Sequence, residues 1–295
     1  MRKTKRPAGH SKANGFHYKH SLGQNFIYDE DLLEQLAAMS GIHPDDDVIE
    51  IGAGSGMLTR HLAGYARHVY ALELDESLKP YLLARLTGQK NVSLRFGDAL
   101  RTDFLSWIKE EGRGSGALRI AANLPYYITT EILTKLYRTL PELSGIAIML
   151  QQEAAEKLMA GPGEEGCSPL GIETAWRYQL TDSLDVPAAC FEPRPRVDSR
   201  FLVLERRGKP PYPVSDEALL LRVVRGGFAM RRKTMANNLG SLFAAPKEQC
   251  LAWLDDAGLS DTIRAEQMDF PAFCRLTDVI AGQKLAKADK GGSSI

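Results

Sequence analysis

The stretch "VIEIGAGSGMLTRHLAGYARHVYALELD" (residues 48–75) decides the fold. Its first residues, Val48 to Gly52, read as a buried strand. Glycine then stands at alternate positions, Gly52, Gly54 and Gly56, and "MLTRHLAGY" follows with helical spacing. "VYALEL" (69–74) is a second apolar run of strand length. A strand, a glycine turn, a helix and another strand form a crossover unit of a parallel sheet.

The same alternation continues outward. "VSLRFGD" (92–98), "LRIAAN" (118–123) and "GIAIMLQ" (145–151) predict a third, fourth and fifth strand with helices between them. Two further strand candidates lie in "AWRYQLTDSLDV" and "SRFLVLER", on either side of the proline-rich "FEPRPRVD". Their short connection predicts an antiparallel pair at one sheet edge. "GPGEEGCSPLG" (161–171) reads as an exposed, mobile loop. "RRGKPPYPVSD" (206–216) reads as a linker, and the chain beyond it has only helical spacing: "EALLLRVVRGGFAMRRKTMANNLGSLF", "PKEQCLAWLDDAGL" and "FPAFCRLTDVIAGQKL". The expected organisation is a basic tail over 1–21, an α/β catalytic domain over 22–207, a small all-helical domain over 208–285 and a flexible tail over 286–295.

With 295 residues, 44% of them hydrophobic, the chain can bury one large core and a small one. No apolar run reaches the roughly 20 residues of a membrane span. The N-terminus is basic but has no apolar segment of a secretory signal. Cys167, Cys190, Cys250 and Cys274 are far apart and form no Cys-x-x-Cys pair, so no metal cluster or disulfide framework is expected and a reducing cytoplasm fits. Formal net charge is zero, yet no acid precedes Asp29 while Arg2, Lys3, Lys5, Arg6, Lys12 and Lys19 do. A second basic region runs from Arg194 and Arg196 to Arg231, Arg232 and Lys233. Most charge runs are solvated helix faces; two that flank a catalytic domain point to nucleic acid.

Gly52 and Gly54, after the first strand and before a helix, allow close backbone approach to a ligand, and the helix N-terminus offers unpaired N–H groups. Glu73 follows Gly52 by twenty-one residues, where a carboxylate can accept from the hydroxyls of a ribose. Asp98, read as the end of the third strand, is placed for an adenine amino group. Glycine loop and Glu73 fit NAD as well as S-adenosylmethionine; the Gly-x-Gly-x-Gly spacing argues against the dinucleotide.

"NLPYY" (123–127) leaves the fourth strand through residues that turn poorly. Asn123 supplies a side-chain carbonyl, and Pro125 holds Leu124 extended so that its carbonyl can point to the same place. Two converging acceptors suit an amine with two hydrogens, and the Tyr126 ring can stack on a planar base. Acceptors that bind those hydrogens out of the ring plane favour a tetrahedral nitrogen over the planar, unreactive one. Phe191, from residues alone, is a stacking aromatic or a core residue at a strand end. Asn25 is either a ligand contact or a helix cap, although Asp29 is the better cap.

"SLGQNFIYDEDLL", the glycine loop, "NLPYYITTEIL", "CFEPRPRVDS" and "FAMRRKTMANNL", in this order from about Leu22 to Leu239, together resemble the ribosomal RNA adenine N6,N6-dimethyltransferases. The resemblance implies a Rossmann-like class I S-adenosylmethionine-dependent methyltransferase with a small C-terminal all-helical domain. It assigns Asn25, Ile27, Gly52, Gly54, Glu73, Asp98 and Asn123 to the cofactor. It assigns Asn123, Leu124, Pro125, Tyr126 and Phe191 to the reacting base, with Phe191 as the second stacking ring. Arg194, Arg196, Arg231, Arg232 and Lys233 are expected on RNA. The expected reaction is double methylation of adenines, two adjacent ones, in small-subunit 16S ribosomal RNA during assembly, by a cytoplasmic monomer without metal, releasing S-adenosyl-L-homocysteine. Competing readings are a large-subunit enzyme of the antibiotic-resistance type, a non-catalytic RNA-binding assembly factor, and an NAD-dependent oxidoreductase that would leave "NLPYY" unexplained.

Overall fold

The computed structural model describes residues 24–112, 116–124 and 128–291. In chain order the catalytic part runs β1 (Phe26–Ile27), α1 (Glu30–Met39), β2 (Asp47–Ile51), α2 (Met57–Tyr65), β3 (His68–Glu73), α3 (Lys79–Arg85), β4 (Val92–Phe96), α4 (Phe104–Glu110), β5 (Leu118–Asn123), α5 (Thr129–Thr139) and β6 (Gly145–Gln151). It continues through α6 (Gln152–Met159), α7 (Pro169–Arg177), β7 (Tyr178–Val186), β8 (Phe191–Glu192) and β9 (Ser199–Arg206). Four helices follow: α8 (Glu217–Gly227), α9 (Met235–Phe243), α10 (Lys247–Asp256) and α11 (Phe270–Gly291). The segment expected to be a tail from 286 begins inside α11.

Seven strands form one sheet in the order β4-β3-β2-β5-β6-β9-β7. The first five are parallel, and β9 and β7 add antiparallel at the far edge. The chain builds one way from β2 to β4 and the other way from β5, so the switch in strand order lies between β2 and β5. A ligand crevice is expected there, at the carboxyl ends of the strands. Every residue of β2 and β3 is buried, which explains why both are mostly apolar. Ile49, Ile51, Tyr70, Leu72 and Ile120 face α4 and α5 on one side of the sheet. Val48, Val69 and Ala121 face α2 on the other.

The stretch 217–243, expected to be helical, forms two helices separated by 228–234. Its helical spacing is genuine, but the glycine pair ending α8 lets the chain fold back. A Cβ on Gly226 would lie 2.5 Å from Leu242, and one on Gly227 would lie 2.9 Å from the Met235 sulfur. One reading needs correction: the segment 161–171 is not wholly an exposed loop. Ser168 caps α7 by accepting from the Gly171 N–H at 3.0 Å, and Cys167 and Gly171 are buried. A side chain on Gly171 would strike the carbonyls of Lys157, Leu158 and Ala160, so glycine there serves packing rather than mobility.

α7 packs on the C-terminal helices. Ala160, Cys167, Ile172 and Trp176 share one apolar cluster with residues of α8 to α11, including Leu220, Met235, Leu254 and Phe273. The buried Glu173 carboxylate seals this contact, accepting from Arg177 at 3.1 Å and from Arg225 of α8 at 2.7 Å.

Candidate active site

The crevice between β2 and β5 is a cleft bounded by Gln24–Ile27, the glycine loop, the ends of β3 and β5, the turn after β4 and the start of α5.

The glycine loop has the geometry its composition predicts. Gly52 and Gly54 have φ of +83° and +58°, a region costly for residues with a Cβ. At Gly54 a Cβ would also stand 2.7 Å from the Phe26 ring. Two glycines thus let the loop pass beneath β1. The buried Glu73 braces the loop: Oε2 accepts from the Gly54 N–H at 2.7 Å and Oε1 from the Asp75 N–H at 2.8 Å. Each oxygen keeps a lone pair for a ligand hydroxyl. Burial raises the Glu73 pKa, against which the backbone hydrogen bonds work.

Asp98 is placed two residues beyond β4, not at its end; the last paired residue is Phe96. Its carboxylate accepts from the Leu100 N–H at 2.8 Å and borders the cleft. Leu74, 49% exposed, borders the same end. An apolar side chain held in the open beside Glu73 offers a flat ligand a surface; in the sequence it reads only as the end of a strand.

Asn123 ends β5. Its Nδ2 donates to the Asn25 carbonyl at 3.1 Å, while Oδ1 accepts from no described residue. The main chain of the N-terminal segment therefore sets which way this amide faces. Gln24 anchors that segment through Asp75 at 3.0 Å, and β1 pairs with β8, Ile27 opposite Phe191. Asp29, not Asn25, caps α1, accepting from the Asp31 and Leu32 N–H groups. Leu124 is buried and borders the cleft. Pro125 and Tyr126 lie outside the described residues, as does the basic tail. Phe191 is only 4% exposed and packs with Ile27, Leu33, Met57 and Phe201 under the β1–β8 pair.

One cleft residue escaped the sequence reading. Glu50 lies mid-β2, 1% exposed, between Ala71 of β3 and Ala121 of β5, whose small side chains leave it room. Its Oε2 has no hydrogen-bond partner among the described residues. Burial, with the Glu73 charge adding to it, pushes Glu50 up to about 8. The available signal was a carboxylate inside "VIEIG", a strand whose neighbours are all apolar.

The structure divides the second basic region. Arg200 pairs with Asp185, Arg206 with Glu142, and Arg225 with Glu173, while Arg207 donates to the Ala175 carbonyl. Arg194 and Arg196, before β9, and Arg231, Arg232 and Lys233, on the α8–α9 turn, are exposed and have no carboxylate partner among the described residues. Buried Asn238 holds that turn: it accepts from the Met230 N–H and donates to the carbonyls of Gly227 and Met230.

Among the described residues no group of three His, Cys, Asp or Glu stands together as a metal site, and no helix is long and apolar enough to cross a membrane. The architecture is a Rossmann-like class I methyltransferase fold with a helical C-terminal part. A crystal structure of a dimethyladenosine transferase from Plasmodium falciparum superposes with a TM-score of 0.70 at 23% identity, over 88% of this chain and 98% of that one. The crystal structure of the 23S rRNA methyltransferase ErmE gives 0.62 at 25% identity, over 87% and 99%. The Ribosomal RNA small subunit methyltransferase A of Ligilactobacillus salivarius is 38% identical over 269 residues, 90% of this chain and 91% of that protein. The protein of the same name from Geobacillus thermodenitrificans is also 38% identical over 269 residues, 90% and 92% of the two chains. The family profile "Ribosomal RNA adenine dimethylase" matches residues 15–281, and the chain belongs to that family.

Proposed function

We propose that this protein dimethylates the N6 amine of adenines in small-subunit ribosomal RNA, using S-adenosylmethionine, in the cytoplasm and within an assembling particle. The observation that carries the reading is Asn123: its amide nitrogen is engaged by the Asn25 carbonyl, and its oxygen, which accepts from no described residue, stands at the cleft.

The cleft fits the cofactor. Gly52 and Gly54 bring bare backbone to it, Glu73 keeps acceptors for a ribose, Asp98 offers one at the far end, and Leu74 gives an apolar surface. Asn25 and Ile27 close it from above. When bound, S-adenosylmethionine supplies an activated methyl group on a sulfonium, so the acceptor amine needs no metal. Asn123 Oδ1 and the Leu124 carbonyl take the hydrogens of the target amine and hold its nitrogen pyramidal, freeing the lone pair for attack. Tyr126 stacks on the flipped base. Phe191 is buried in the β1–β8 pair opposite Ile27, so its contribution as the second stacking ring is coupled to the N-terminal segment.

The helical domain, taken as 208–285, supplies RNA grip through Arg231, Arg232 and Lys233, with Arg194 and Arg196 on the catalytic side. A rigid cationic turn on a separate body recognises shape and phosphate position rather than base identity, which suits a folded particle. Relatives at 38% identity that are named as small-subunit methyltransferases favour the small subunit. We take the enzyme to act as a monomer.

The test offers purified protein undermethylated small subunits, undermethylated large subunits and protein-free RNA of each, with dimethyladenosine read by mass spectrometry of digests. Product from small subunits is expected; efficient product only from large-subunit RNA overturns the substrate assignment. Asn123→Ala should abolish transfer while S-adenosylhomocysteine affinity stays within about tenfold. Near-normal turnover of that variant refutes the role of Asn123.

A further inference from the structure

Among the described residues, the turn that carries Asp98 is held from outside the turn by the side chain of Lys135. Between Gly97 and Asp103 the backbone winds tightly: the Asp98 carbonyl accepts from the N–H groups of Arg101 and Thr102 and from the Thr102 hydroxyl. The carbonyls of Ala99 and Thr102 are left facing α5. Lys135 of α5 meets both, donating from Nζ at 2.8 Å and 2.5 Å. The same ammonium stands 5.3 Å from the Phe104 ring centroid, at the start of the next helix. In the sequence Lys135 reads as an ordinary surface charge. In the fold it is half-buried, with Asp98 and Asp103 attracting it and Arg138 opposing them. Burial lowers its pKa, as expected for an ammonium drawn into the protein.

α5 also carries Ile132, and Ile128 at its cap, both bordering the cleft just after Asn123 and Leu124. One ammonium therefore fixes the turn at one end of the cleft to the helix at the other. We propose that Lys135 is a positioning residue that sets the Asp98 turn for the cofactor and joins it to the wall beside the target amine. This rests on the cleft being the S-adenosylmethionine site. Asn123 is held by β6 through the sheet rather than by Lys135, so the chemical step should be spared. Methionine keeps much of the stem but cannot bond either carbonyl. Arginine keeps the charge, with a longer, planar group that matches two carbonyls at this depth less well.

The experiment uses the full chain and its Lys135→Met, Lys135→Arg, Asp98→Asn and Lys135→Met/Asp98→Asn variants, all well below their melting temperatures. Calorimetry with S-adenosylhomocysteine should show Lys135→Met weakened about 10- to 100-fold, the equivalent of one or two charge-assisted hydrogen bonds, with Lys135→Arg in between. KM for the cofactor should rise in step while kcat stays within about threefold. Asp98→Asn should cost far less in the Lys135→Met background than alone, because both changes act through one turn. Without ligand, amide exchange over 97–104 should quicken in Lys135→Met and leave 118–123 unchanged. Folded Lys135→Met with wild-type affinity and exchange overturns the inference, as does a fall in kcat at unchanged affinity. Wild-type protein that binds no S-adenosylhomocysteine overturns the reading of the cleft itself, and this inference with it.

Discussion

Replacing Glu50 by glutamine should stabilise the ligand-free protein, and by an amount that depends on pH. The carboxyl group is fully enclosed, and one oxygen lacks a partner among the described residues. Burial raises it from an ordinary 4.5 to about 8. An acid with a raised folded value binds its proton more tightly folded than unfolded. Its stabilising contribution is complete below pH 4.5 and is withdrawn as pH rises through about 8. Each pH unit in that window removes about 1.4 kcal/mol, so at pH 7 the wild type has lost about 3 kcal/mol that a neutral amide does not lose. Ala71 and Ala121 leave room for either group, so no steric cost offsets the gain. Urea unfolding at pH 5, 6, 7 and 8 measures the difference. It should be small at pH 5 and grow to about 3 kcal/mol or more by pH 8. A difference that stays flat across this range would mean that Glu50 ionises as readily folded as unfolded, and would refute the reasoning.

Other outcomes follow from the C-terminal helices. Arg231→Ala with Arg232→Ala should weaken RNA binding and flatten the log–log salt dependence by about 1–2, since each arginine neutralises one phosphate; an unchanged slope by filter binding would place the RNA elsewhere. Asn238→Ala removes three hydrogen bonds from the basic turn, and should cost about 2–3 kcal/mol in chemical denaturation. Ala244 caps α9 at φ +51°; Ala244→Gly should raise stability by up to about 1 kcal/mol, and a loss there would show that the left-handed position is not strained.

Much of the fold is legible because its central strands are largely buried and therefore spell mostly apolar runs. "LRIAAN" and "GIAIMLQ" coincide with β5 and β6. The antiparallel edge could be read from the short link between the last two strands, and the glycine loop from its alternate-residue spacing. The turn-back at Gly226 and Gly227 could not, because it depends on Leu242 and Met235 arriving from the next helix. Burial of the Cys167 region was hidden for the same reason: Gly, Pro and Glu signal a loop unless a second body covers them. Glu50 and Lys135 share another kind of concealment. A lone carboxylate in a strand and a lone lysine on a helix look ordinary until the neighbouring chain shows what surrounds them.

The seam between α7 and the C-terminal helices fixes what can be exchanged between relatives by recombination. A hybrid joined at the proline-rich segment after Arg207 would set Ile172 and Trp176 against foreign helices and leave the buried Glu173 with Arg177 but without Arg225. A hybrid that moves residues 160–177 along with everything after 207 keeps donor meeting donor across the whole seam. The C-terminal packing unit is thus discontinuous in sequence, with one piece lying between two strands of the catalytic sheet along the chain.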